Sequence, residues 1–449
     1  MRKYWKNWWN RRENVKTFTK QYTFINSFVS STIAAIIFLL LLWEIQLPIF
    51  ITLFFLISII NFLNWKYWVL TLWFALFFLM AFLIFKSTIS SYDSFEFNGQ
   101  MNVIRIYDNS IITKFKNLKI LINNIQIENN VYSHYKITAS GKLNIIKNLN
   151  SFNLSQGTFL QLKFEPGNIN IEKIPIMNLE YHQPIVKKYL FLILLNIYDN
   201  KDPTIIKLKE LNIFHYFTVS GFHFGIIFLT IHYLFKKHKI SYFVAIILLL
   251  IYLIVLNFPI SATRAFIFIF IFSINKLYLK NKMPNLSILS ITALITVPFD
   301  ITSIFSLAFI LSYGITMIIF IAIEVFSFIK QSWIKNLLIL LTAYVFSMLI
   351  TLSINDKINV LGFIYQFLFL PVAVFSYAFS LLLWWTIYLN YYYFVFLEAF
   401  INLIHKGVYF INGIKIPFLA VIFSFCWYEL YEVKLLIKKM RIFNPALIH

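Results

Sequence analysis

The stretch FHYFTVSGFHFGIIF places two histidines and a serine inside an apolar run of the chain. They are His215, Ser220 and His223, and Gly221 and Gly225 lie among them, four residues apart. Polar side chains at membrane depth are unfavourable unless they face a water-filled cavity or a polar partner, whereas paired small residues let two helices approach closely. The stretch therefore predicts either the lining of a polar path or a tightly packed helix surface.

These residues do not form a recognised catalytic or metal-binding pattern. Ser220 and His223 share a helical face, but no carboxylate lies nearby in the sequence to orient the imidazole as in a serine hydrolase. His215 and His223 lack the spacing and the glutamate of a zinc protease. The single cysteine, Cys426, excludes a disulfide framework and a cysteine-based zinc site. We therefore expect no catalytic residue, no metal ion and no cofactor.

A second stretch, NFPISATRAFIFIFIF, carries Arg264 within an apolar run. The apolar residues 265–274 are too few to cross about 30 Å of hydrocarbon at about 1.5 Å per residue, so a helix that crosses here must include Arg264. The guanidinium either faces a hydrated path, where its bidentate geometry suits phosphate, or pairs with a carboxylate, or snorkels to the interface. The carboxylates that could pair with it are Asp300, Glu324 and Glu398.

Two further apolar stretches carry isolated polar residues. VPFDITSIFSLAFILSYGI has Asp300 at a predicted helix start and Ser312 within the helix. GFIYQFLFLPVAVF has Gln366, followed by Pro371. Because proline removes one hydrogen bond of a helix, we expect a helix break at Pro371.

The composition places all these stretches in a membrane protein. Hydrophobic residues make up 60% of the 449 residues, charged residues make up 13%, and the mean hydropathy is +0.75. Soluble proteins have roughly 45–50% apolar and about 25% charged residues, so the chain is not an ordinary soluble protein. The net charge of +21 is compatible with nucleic-acid binding, but basic cytoplasmic loops and the residue usage of an AT-rich genome also explain it.

The N-terminal part of the chain divides into two predicted regions. Residues 1–86 comprise a basic cytoplasmic arm and three transmembrane helices, at 28–43, 47–63 and 67–85. Three crossings place residues 87–180 outside the cytoplasm, and alternating apolar runs such as YKITASGKLNII predict a small all-β domain there. We expect an OB-like barrel, with a sandwich as the alternative, and the domain is nearly neutral.

Residues 181–449 form the predicted helical membrane domain. An interfacial stretch, LFLILL followed by IIKLKELN, comes first. Basic clusters then separate two predicted helix pairs, 241–257 with 258–274 and 286–298 with 301–329, and a further apolar segment, 334–354. The number of helices beyond Asn355 stays open. The predicted fold is a polytopic α-helical membrane protein with a small all-β, OB-like periplasmic domain inserted after the third helix.

Four elements, in this order, resemble the ComEC family of bacterial competence DNA channels. HYFTVSGFHFG is similar to HLLAISGLHVG, ISATRAF to PSAVRA, LAFILSYGI to GFQLSFLAVLGI, and YQFLFLP to ANLLAIP. The sequence departs from the family at Ile310, which replaces a glutamine, at Gln366, which replaces an asparagine, and at Pro259, where the proline is shifted. No HxHxDH pattern occurs, so we expect no metallo-β-lactamase-like nuclease domain.

The resemblance implies a multi-pass protein of the bacterial inner membrane, with both termini in the cytoplasm, that passes single-stranded DNA inward during natural transformation and is not an enzyme. Its expected partners are single-stranded DNA, the lipid bilayer, a periplasmic DNA receptor, a cytosolic helicase-like ATPase and a second copy of the chain. The alternatives are a transporter of a small molecule or lipid-linked precursor, and a membrane-anchored receptor or scaffold. The residues expected to line the DNA path are His215, Ser220, Gly221, His223, Gly225, Arg264, Ser312 and Gln366.

Overall fold

The computed structural model describes residues 65–434 with short gaps, together with residues 32, 33, 35 and 36. The gaps are 108–109, 117, 126–132, 147–152, 154–155, 165–168, 176–182, 200, 236–237, 355–356, 360, 413–419, 421, 425, 429 and 432. The predicted basic arm, the predicted helix at 47–63 and most of the one at 28–43 lie outside the described residues. The residues after 434 also lie outside them.

Six strands form the predicted β domain, and five of them close into a ring. The strands are β1 (Glu96–Ile106), β2 (Ser110–Phe115), β3 (Leu118–Asn123), β4 (Ser133–Ile145), β5 (Leu160–Lys163) and β6 (Ile169–Pro175). The ring runs β1-β2-β3-β5-β4 and closes through β4 onto β1, with β6 added along β4. The β3–β5 pairing is parallel and the others are antiparallel. Alternating apolar residues fill the interior, as in an OB-like barrel, so this prediction is confirmed.

Helix α1 (Trp65–Ser91) leads directly into the barrel. Near its C-terminal end, the ring of Phe85 meets the ring of Phe159 edge to face, with the centroids 5.6 Å apart. Ile89 belongs to the buried core of the barrel. The last turns of α1 are therefore part of the barrel's packing as well as its covalent attachment.

The barrel has a second attachment, to the corner after helix α8. Lys119 Nζ of β3 lies 3.4 Å from Asp300 Oδ2. Gly157 has φ +69°, and a Cβ at this position would lie 2.3 Å from Oγ1 of Thr302. Only a residue without a side chain fits this close approach, so the barrel rests directly on the helical region.

The helical region contains eleven helices among the described residues. They are α2 (Pro184–Leu195), α3 (Pro203–Glu210), α4 (Phe214–Phe217), α5 (Gly221–Leu234), α6 (Ile240–Val255), α7 (Ile260–Leu277), α8 (Asn285–Phe299), α9 (Leu307–Val325), α10 (Ser332–Ile354), α11 (Gly362–Leu383) and α12 (Ile387–His405). Two 3₁₀ turns, Ile301–Phe305 and Phe326–Phe328, flank α9, and short strands β7 (Lys357–Asn359) and β8 (Phe410–Asn412) pair antiparallel.

Six helices in the described part of the chain are long and apolar enough to cross a membrane: α1, α7, α9, α10, α11 and α12. Helices α5, α6 and α8 are apolar but shorter. The chain is therefore a polytopic α-helical membrane protein, as predicted, and α11 and α12 fill the region beyond Asn355 that the sequence left open. Arg264 lies within α7, which confirms that this helix includes it.

One expectation about the helical region is wrong. Helix α11 continues through Pro371, because one missing hydrogen bond does not end a helix held by its neighbours on both sides of the proline. The stretch expected at the interface falls on two helices, with LFLILL in α2 and most of IIKLKELN in α3. Half of the residues of α2, including Tyr189 and Leu192, are buried against α11 and α12. Tyr189 stacks on Phe394 of α12 with the ring centroids 4.9 Å apart, so α2 is a core helix.

Candidate functional site

Ser220 and His223 form the N-terminal cap of α5. The backbone N–H of Ser220 donates to Nδ1 of His223 over 3.1 Å, and the N–H of His223 donates to the carbonyl oxygen of Ser220 over 3.1 Å. This is a capping box in which histidine takes the place usually held by Glu or Gln. Since Nδ1 accepts a hydrogen bond, the neutral ring carries its proton on Nε2.

The other side of the His223 ring is buried. Its Nε2 has no hydrogen-bond partner among the described residues. The ring meets Tyr377 of α11 edge to face, with the centroids 4.3 Å apart. The cap of α5 is thus packed into the bundle, and one polar atom of the cap is left unused.

Gly221, the first residue of α5, faces Arg264 of α7. A Cβ on Gly221 would lie 2.6 Å from Arg264 Nη2 and 3.4 Å from the Cβ of Ala265. A Cβ on Gly225 would meet nothing within 4 Å. Of the two glycines expected to allow close helix approach, only Gly221 does so, and Gly225 lies beside open space.

Arg264 is 9% exposed and is held by neutral groups. Its Nη1 donates to Oγ1 of Thr316 on α9 over 2.5 Å, and that hydroxyl donates to the carbonyl oxygen of Ser312 over 2.7 Å. The guanidinium carbon lies 5.8 Å from the ring centroid of Tyr313. Arg264 Nε and Ser312 Oγ are buried and have no hydrogen-bond partner among the described residues.

No carboxylate of a described residue lies within 4.0 Å of the Arg264 guanidinium. Of the three carboxylates considered as partners, Asp300 binds Lys119, and Glu398 binds Lys188 over 2.9 Å. Glu324 makes no ion pair with Arg264 either. Arg264 is therefore a buried cation without a counter-charge in the part of the chain that the structure describes.

His215 and Gln366 lie elsewhere. His215 is on α4, with an exposed side chain and its ring centroid 4.2 Å from that of Tyr216. Gln366 of α11 donates through Nε2 to the carbonyl oxygen of Asn212, in the turn between α3 and α4, over 3.0 Å. The residues that come together are Ser220, Gly221, His223, Arg264 and Ser312.

A polar seam between α3 and α12 was not predicted from the sequence. Thr204 Oγ1 donates to Glu398 over 2.7 Å, and Lys207 Nζ donates to Asn402 over 2.7 Å. Glu210 pairs with His405 over 2.5 Å. The spacing of these polar residues could have predicted the seam. Residues 204, 207 and 210 share one helical face, and so do residues 398, 402 and 405. The seam fixes α3, and through it the segment that leads to Ser220.

Among the residues that the structure describes, no three His, Cys, Asp or Glu side chains lie close enough to hold a metal ion. The site offers instead one guanidinium, several hydroxyls and the amino end of α5. Such groups bind and position an anion or a polar chain.

The fold and the site together define a multi-pass membrane protein with a small barrel and a buried cationic centre. The family profile described as "Competence protein" matches residues 201–441, more than half of the chain, so the chain belongs to the competence protein family. This confirms the resemblance to ComEC proteins. No solved structure matches the chain.

Two curated relatives come from mycoplasmas. The chain is 28% identical to the "Uncharacterized protein MG316 homolog" of Mycoplasma pneumoniae over 203 residues, which are 44% of this chain and 52% of that protein. It is 30% identical to the "Uncharacterized protein MG316" of Mycoplasma genitalium over 176 residues, 38% of this chain and 44% of that protein. The chain thus spans about half the length of the curated relatives it matches.

Proposed function

We propose that this protein passes single-stranded DNA through the cytoplasmic membrane during natural transformation. One observation carries the proposal beyond family membership. Three of the four elements that resemble ComEC proteins are far apart in sequence but meet at one place: Gly221 faces Arg264, Arg264 binds Thr316, and Thr316 binds Ser312. Residues that converge from three helices on a buried cation suit a shared task at that point.

The path would run along His215, Ser220, Gly221, His223, Gly225, Arg264, Ser312 and Gln366. A cation held by hydroxyl groups can screen a passing phosphate, whereas a cation already neutralised by a carboxylate cannot. A chain that moves needs contacts that form and break, so one guanidinium among neutral groups suits translocation better than a dense cluster of cations. The barrel would lie outside the cytoplasm, with both termini inside.

The sequence contains no P-loop, so we propose that the pulling force comes from a cytosolic helicase-like ATPase. A periplasmic DNA receptor would deliver the strand, and a second copy of the chain is a further proposed partner.

The test is a deletion strain assayed separately for DNA bound outside the cytoplasmic membrane and for labelled single strands inside the cell. We expect external DNA to accumulate normally and internal single strands to be lost. Complementation with Arg264→Ala should restore the protein at normal abundance in the membrane but not strand entry, and Arg264→Lys should restore entry only in part, because the bidentate fork is lost.

Lys276→Ala is the matched control, since it removes an exposed cation from the last turn of the same helix. This variant should complement fully. Normal entry of single strands in the deletion strain would refute the proposed function. Degradation of the Arg264→Ala protein would instead assign Arg264 a structural role.

A further inference from the structure

The site around Arg264 lies near the barrel-facing end of the helices. Helix α8 ends at Phe299, and the next residue, Asp300, contacts the barrel. Helices α7 and α9 adjoin α8 in the sequence through short connections. The start of α7 and the start of α9 therefore lie at that same end. Arg264 is the fifth residue of α7, about 6 Å from the helix start, and Thr316 is the tenth of α9, about 13 Å from its start. A ligand that arrives from the barrel side would therefore reach Arg264 near the entrance of the helical bundle.

The electrostatics of the site are unbalanced. The amino end of a helix carries a partial positive charge, and α5 points this end at Arg264, with Nη2 against Gly221. A cation beside a helix amino end is repelled, and burial adds a desolvation penalty for the guanidinium. Among the described residues, no carboxylate offsets these two positive charges.

One edge of the guanidinium has no hydrogen-bond partner among the described residues. Nη1 is used by Thr316, which leaves the edge formed by Nε and Nη2. Nε is buried with no partner among the described residues, and Nη2 lies against the first turn of α5. Two parallel N–H groups of this kind bind two oxygens of a phosphate, and helix amino ends bind phosphates through their backbone N–H groups.

We propose that Arg264 and the first turn of α5 form a binding site for a single phosphodiester group at the barrel-facing end of the membrane bundle. The assignment of this group to a DNA strand rests on the proposed function. A phospholipid head group carries the same chemistry and is separated from DNA in the test.

The test uses the full chain purified in dodecyl maltoside, a detergent without phosphate. Binding is measured for a thymidine dinucleotide, for its uncharged methylphosphonate analogue, and for a short-chain phosphatidylglycerol. We expect saturable binding of the dinucleotide, at least tenfold weaker binding in Arg264→Gln, an intermediate loss in Arg264→Lys, and a change of less than twofold in Lys276→Gln. The methylphosphonate should bind no better to wild type than the dinucleotide binds to Arg264→Gln.

Equal affinity of wild type and folded Arg264→Gln for the dinucleotide, or equal binding of the methylphosphonate, would overturn the site. If wild type binds phosphatidylglycerol but not the dinucleotide, and Arg264→Gln binds neither, the assignment to DNA is overturned. Arg264-dependent dinucleotide binding combined with normal strand entry in the deletion strain would keep the site and refute transport. Loss of strand entry without Arg264-dependent binding would refute the site and keep transport.

Discussion

Replacing Gly221 by alanine tests whether the contact between α5 and α7 is as tight as the structure indicates. The new methyl group would lie 2.6 Å from Arg264 Nη2, so the guanidinium must move away from Thr316. Losing a charged hydrogen bond costs about 1.5–3 kcal/mol and an off-rotamer side chain about 0.5–1.5, while alanine regains up to about 1 in helix propensity. We expect a net destabilisation of about 1–4.5 kcal/mol.

Gly225→Ala is the matched control in the same helix. Its methyl group would meet nothing within 4 Å, so only the gain in helix propensity remains, up to about 1 kcal/mol. The two variants should therefore shift unfolding of the purified protein in opposite directions, measured by tryptophan fluorescence in one detergent. Equal stability of the two variants would refute the reasoning, and Gly221→Ala combined with Arg264→Ala should recover most of the loss.

Three further predictions concern other contacts. Glu398→Ala leaves Lys188, whose side chain is 16% exposed, without its closest carboxylate, so we expect a destabilisation of about 2–4 kcal/mol in the same unfolding assay. A destabilisation below about 1 kcal/mol would contradict a structural role for this ion pair. Gly157→Ala forces a left-handed backbone on alanine and a clash with Thr302, so the barrel should be cleaved faster by protease, whereas unchanged cleavage would show that the docking is loose. His223→Ala should cost about 1 kcal/mol through loss of the cap, and His223→Gln should restore it, because glutamine is a usual capping-box residue. Equal stability of the two variants would show that the cap does not stabilise the protein.

Local patterns in the sequence were enough to predict the classes of structure. Alternating apolar residues predicted the strands, and long apolar segments predicted α7, α9 and α10. The short run after Arg264 placed this residue inside a helix. Ring closure was beyond such patterns, because β1 pairs with β4, more than thirty residues later, and no local signal encodes that pairing.

The site was predictable in its residue types but not in its contacts. The sequence indicated an arginine, a serine and a histidine near glycines, but which carboxylate, if any, approached Arg264 depended on tertiary packing. The capping role of His223 was missed because the capping box is usually recognised from Glu or Gln at that position. His215 and His223 are close in sequence, but α4 ends at Thr218 in extended backbone, and the two histidines lie on separate helices, His215 exposed and His223 buried.

The hydrogen bond from the Ser220 N–H to Nδ1 of His223 also bears on proton movement through the bundle. A histidine relays protons when each ring nitrogen is alternately protonated and free, so that the ring can change tautomer. Here a backbone N–H donates to Nδ1, and protonating this nitrogen would break this hydrogen bond of the α5 cap. His223 is therefore a poor link in a proton wire, and the bundle can hold this imidazole in its buried interior without providing a path for protons.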